Sequence, residues 1–151
     1  MVFGRFRRRR ERERRGYDPE QLCDILLDGE KNIGEKLEAL YTSLPSPIRV
    51  VFHPSIAGYL MTKYKDAWAR CTNALPDPRL EPLCALLLFK IIGHSEHRRA
   101  LREAAEHAVM QGAAQSLAKD ASQVFNPLAI RKALSVYNRL AEVCEKRLSR
   151  R

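Results

Sequence analysis

Apolar side chains recur at intervals of three and four through most of this chain, and the recurrence is punctuated by one kind of dipeptide. Asp18-Pro19, Ser46-Pro47, His53-Pro54, Asp77-Pro78 and Asn126-Pro127 each precede a helix-like pattern. Asp, Ser and Asn side chains accept hydrogen bonds from the unpaired amides of a first helical turn, and a proline there has no amide to leave unpaired. Four of the five dipeptides, all but His53-Pro54, therefore read as strong helix starts.

The first predicted helix covers 18–44, with Leu22, Leu26, Ile33, Leu37, Leu40 and Leu44 on one stripe and Gly29 and Gly34 as points of breakage or kinking. After a turn around 47–52, which also reads as a short extended piece, the second covers 54–75 with Ile56, Leu60, Tyr64, Ala67, Trp68, Cys71 and Leu75. The third, 78–92, is apolar nearly all round from Leu83 to Ile92, which predicts a helix buried on most sides at the centre of the core. Gly93 closes it, and Ser95 caps a fourth helix reaching 124, whose alanines allow close packing. The fifth covers 127–148 with Ile130, Leu134, Tyr137, Ala141, Cys144 and Leu148. No alternating β-branched run with hairpin turn residues is present. The expectation is an all-α fold, a bundle of about four to five helices over 17–151, preceded by a separate helical arm at 1–16.

The arm changes the picture because of its charge. Arg5, Arg7, Arg8, Arg9, Arg10, Arg12, Arg14 and Arg15 sit there with only Glu11 and Glu13 opposing them, which is +6 of the net +9. Lys146, Arg147, Arg150 and Arg151 form a second cluster, and the 130 residues between the two ends hold 15 basic and 16 acidic side chains. A nearly neutral body with basic ends is the layout of a protein that folds in one part and grips a polyanion with another. Written as a helix, the arm has no apolar stripe to dock on its own core, so it needs phosphates to become ordered. Guanidinium groups stay charged and present planar donors to two phosphate oxygens at once. Phe3 and Phe6 lie beside them in sequence, and aromatic rings of this kind can stack on bases.

Other chemistry is thinly represented. Cys23, Cys71, Cys84 and Cys144 are too scattered for a zinc ribbon or a CxxC site. They read as small core residues, or alternatively as one or two long-range disulfides, which in an intracellular setting would point to a hyperthermophilic host. His94, His97 and His107 lie near Glu96 and Glu103 without the HExxH or HxxEH spacing and read as surface histidines near a helix start. No phosphate-binding glycine loop or nucleophile elbow occurs. Neither an enzyme nor a metal or cofactor is expected. Trp68, with Tyr59 and Tyr64, reads as core or subunit contact. The longest apolar stretch is interrupted by Lys90 and is too short to span a bilayer, and the charged start does not read as a secretory signal.

The GRFRRRRERERRG segment, the helix beginning at Asp18-Pro19 and the helical segments out to Leu148 together resemble the coat proteins of filamentous viruses that infect hyperthermophilic archaea. In that family a helical body pairs with a second subunit and an N-terminal helical arm wraps duplex DNA held in A-form. The resemblance implies a capsid protein of a virion, present in host cytoplasm during assembly. Many copies would coat double-stranded DNA through arginine–phosphate contacts that read no bases, pairing with itself or with a paralogous subunit. The eight arginines of the arm and Lys146, Arg147, Arg150 and Arg151 are the expected contacts. Two other readings share the charge pattern. One is a small helical subunit of a ribonucleoprotein, similar to those of CRISPR surveillance complexes, that binds RNA or heteroduplex. The other is a module whose basic arm contacts acidic protein or anionic membrane.

Overall fold

The computed structural model describes residues 17–150, and the arm and Arg151 lie outside them. The described residues form an all-α fold without strands, as the periodicity predicts, but with eight α-helices and two 3-10 segments rather than four to five helices. We number them α1 (Pro19–Leu27), α2 (Ile33–Ser43), α3 (Pro54–Lys63), α4 (Lys65–Ala74), α5 (Cys84–Ile92), α6 (His94–Met110), α7 (Ser116–Gln123) and α8 (Pro127–Ser149). The 3-10 segments are Ile48–Phe52 and Pro78–Leu83.

Each extra helix arises where polar side chains or proline override a continuous apolar stripe. The helix expected over 18–44 is two, because Asp28 Oδ1 accepts from the Glu30 amide at 2.9 Å and Asn32 then caps α2. Asn32 and Glu35 form a reciprocal capping box that satisfies two otherwise orphaned amides. Gly34 lies inside α2 and breaks nothing. The helix expected over 54–75 divides at Tyr64, which leaves helical geometry (φ −114°, ψ 46°). Proline at 82 has no amide to donate, and the chain from 78 to 83 takes the tighter 3-10 form before α5 begins. The fourth helix divides at Gly112, whose φ of 107° few residues other than glycine adopt readily. Gly93, at φ 90°, separates α5 from α6 in the same way.

Two of the proline signals exchange roles. His53 caps α3, its Nδ1 accepting from the Ser55 amide at 3.2 Å. Ser46 caps nothing; the Ser46–Pro47 peptide is cis and its Oγ donates to Asp120 at 3.2 Å. The segment that follows, which read as a turn or short extended piece, is the 3-10 helix Ile48–Phe52, with Ile48, Val50, Val51 and Phe52 all buried. Asp18, Asp77 and Asn126 cap as expected.

One apolar cluster fills the interior and draws on every helix; Leu26, Leu40, Phe52, Leu60, Leu80, Leu88, Leu101 and Leu140 are essentially inaccessible. Each such leucine contributes about 1.5–3 kcal/mol on transfer from water. Ala100, Ala104, Ala105 and Ala108 are buried on α6. Helix α5 is less central than its composition predicts, since Leu87, Phe89, Ile91 and Ile92 are only partly buried. The cysteines are not separate core fillers. Cys23 pairs with Cys144 and Cys71 with Cys84, with Cα–Cα separations of 5.6 and 5.9 Å.

Candidate nucleic-acid interface

Of the residues expected to contact nucleic acid, Lys146, Arg147 and Arg150 fall within the described structure and all belong to the last turns of α8 or its cap. The structure separates them into different roles. Arg147 is half-buried and turned against α1, where Nε and Nη2 donate to Glu20 at 3.1 and 2.7 Å and Nη1 pairs with Asp24. Lys146 is exposed and pairs with Glu142 one turn earlier at 3.2 Å. Arg150 is exposed beyond the last turn.

These contacts hold α1 against the basic end of α8. The Cys23–Cys144 disulfide fastens α1 to α8 beside the Arg147 ion pairs. Tyr17, where the arm joins the body, is three residues from Glu20, which places it within about 11 Å of that carboxylate's backbone.

A wider basic surface escapes a reading confined to runs of charge. Arg131, Lys132 and Arg139 are exposed along α8, and none pairs with a carboxylate among the described residues. Residues 127–150 hold six basic and two acidic side chains, against twelve and fourteen over 17–126. Among the described residues the positive excess thus belongs to α8. A charge count taken helix by helix would have found it.

The histidine and carboxylate cluster has another job. His97 is not on the surface: it is 1% exposed, its ring lies 5.4 Å from Phe125 and 6.2 Å from Phe89, and neither nitrogen has a hydrogen-bond partner among the described residues. Burial, assisted by His94, lowers its pKa to about 4, so it is neutral at pH 7. Glu96 accepts from Arg99 at 2.6 Å and from the Tyr64 hydroxyl, and Glu103 accepts from Lys63 and from Tyr59 at 3.1 Å. Those bonds, led by Arg99 and by Lys63 respectively, hold both carboxyl groups below their ordinary values. They tie α6 to α3 and to the Tyr64 junction. Trp68 is buried, with Nε1 donating to Glu81 at 2.8 Å.

No group of three or more His, Cys, Asp or Glu side chains among the described residues is arranged to hold a metal ion, and no described helix is long and apolar enough to cross a membrane. No protein-family model, no characterised protein sequence and no solved structure matches this chain.

Proposed function

We propose that the chain is a non-enzymatic packaging subunit that coats double-stranded DNA through sequence-independent contacts to its phosphates, as the coat proteins it resembles do. The observation that carries this reading is the segregation of charge. The arm and α8 hold the entire positive excess, while residues 17–126 carry more acid than base. A duplex presents a regular array of phosphates and a condensed ion atmosphere, and concentrated guanidinium groups displace those ions without reading bases.

The two disulfides support a particle over a cytosolic ribonucleoprotein subunit. Disulfides persist on virion surfaces, in oxidising compartments and inside hyperthermophiles, and are otherwise rare in reducing cytosol. The Cys23–Cys144 bond joins α1, the helix that follows the arm in sequence, to α8, the helix that carries the remaining charge.

Electron microscopy of the purified chain with duplex DNA, beside a version lacking residues 1–16, tests the proposal. Regular filaments that require both the DNA and the arm are expected. Binding to RNA or heteroduplex without filaments would move the chain to the ribonucleoprotein class, and binding to anionic vesicles in preference to either would move it to the membrane-contacting class.

A further inference from the structure

Resting on that packaging reading, we infer that one edge of α8, formed by Lys132, Arg139, Lys146 and Arg150, is a second phosphate-contacting surface on the folded body. Arg147, although in the same basic run, is not part of it.

The geometry follows from helical periodicity. At 100° per residue, Lys132, Arg139, Lys146 and Arg150 fall within an arc of about 40°. All four are exposed. Lys132, Arg139 and Lys146 are spaced by seven residues, about 10.5 Å apart, and the whole edge extends about 27 Å. Over that length one strand of a duplex presents about eight phosphates. Glu142 and Glu145 lie about 40–140° away around the helix from the members of this edge, toward the side that also carries Asn138. Arg147 falls on the buried side, in line with Ala129 and Val136, and this is the side on which Glu20 and Asp24 meet it.

Among the described residues, the charge on this edge fastens no other helix. Lys132, Arg139 and Arg150 pair with no carboxylate among the described residues, and Lys146 has only the exposed Glu142. Elsewhere on the body, Lys63, Arg79 and Arg99 are engaged with Glu103, Asp77 and Glu96, and cations without an ion pair among the described residues, such as Arg70, Arg98 and Arg102, lie in a region where acid exceeds base. An uncompensated row of cations beside the point where an arginine-rich arm joins the body fits a continuous phosphate backbone. The arm takes one part of the duplex and α8 an adjoining part.

The test uses the full chain and measures duplex affinity from 50 to 200 mM salt. Replacing Lys132, Arg139 and Arg150 together by alanine should make the dependence of log affinity on log salt shallower by about 2.7, so that the loss of affinity across that range becomes about 40-fold smaller. A control lacking Arg70, Arg98 and Arg102, three exposed arginines on α4 and α6, removes equal charge and should change the slope by less than one. An unchanged slope in the α8 variant, or an equal change in the control, overturns the inference while leaving packaging by the arm intact. Wild-type chain that shows no salt-sensitive binding to duplex overturns the packaging reading itself. A measurement without variants supplies a second check. Duplex should protect Lys132 and Lys146 from acetylation while Lys65 and Lys90 stay reactive, and uniform labelling with and without duplex would contradict the proposed surface.

Discussion

Helices α6 and α8 are both long, amphipathic and rich in charge, yet they use that charge in opposite ways. Helix α6 carries three arginines and three glutamates, and Glu96, Arg99 and Glu103 are bound up with Tyr64, Lys63 and Tyr59 of the α3–α4 region. Helix α8 with its cap carries six cations and two carboxylates, and only Arg147 reaches inward to another helix. The difference teaches that a run of charged residues marks a binding surface only when its partners are missing from the fold. By that criterion the RRALRE run of α6 is in part a fastening, through Arg99 and Glu103, whereas the cations of α8 other than Arg147 face outward.

The largest expected effect concerns what holds α8 in place. Cross-linking residues 121 positions apart restricts the unfolded chain by about 5 kcal/mol on the chain-entropy model, and the 13-residue separation of Cys71 and Cys84 gives about 3 kcal/mol. Cys23→Ser with Cys144→Ser should therefore lower unfolding free energy in denaturant more than Cys71→Ser with Cys84→Ser. The reverse order would mean that α8 is held chiefly by packing.

Next comes acid sensitivity, which belongs to α6. The folded-state pKa of His97, about 4, lies below the ordinary 6.5, so between those values the unfolded chain binds a proton that the folded chain refuses. Stability from this residue is full above about pH 6.5 and declines as pH falls toward 4, by about 3 kcal/mol in all. His97→Phe should flatten that part of a stability-against-pH curve. A slope equal to wild type would show that His97 accepts a proton without opening the fold.

Smaller effects separate the two uses of arginine. Arg147→Ala removes a half-exposed ion pair and should cost about 1 kcal/mol in thermal or denaturant unfolding, with little change in the salt dependence of DNA binding. Arg139→Ala should do the opposite, leaving stability within about 0.5 kcal/mol and reducing the salt slope by about 0.9. Equal behaviour of the two variants would erase the distinction between fastening and binding cations on α8.

Much of this arrangement was legible before the structure. Three- and four-residue spacing reveals helices and their inward faces, and proline after Asp or Asn locates three starts correctly. The divisions at Asp28–Asn32 and Tyr64 were hidden because a stripe of leucines looks continuous whether or not its polar side bends back on the backbone. His97 looked like a surface residue because its neighbours Glu96, Arg98 and Arg99 are polar; its burial comes from Phe89 and Phe125, which only the fold brings near. Four scattered cysteines carry no sign of their pairing, which depends on α1 meeting α8 and α4 meeting α5. The C-terminal cations were visible as a run, but not that Arg147 faces α1 while Lys132 and Arg139, more than one turn away, share the outer edge.

The measurement closest to the central claim is the affinity of the full chain for a duplex of arbitrary sequence as a function of salt, repeated on a second duplex of unrelated sequence. Six to eight arm arginines on phosphates, with the α8 edge adding to them, predict a log–log slope steeper than about −5 and equal affinities for the two sequences. A slope near zero, or affinity that follows the sequence rather than the salt, would contradict an account in which the charge of this protein exists to neutralise a phosphate backbone.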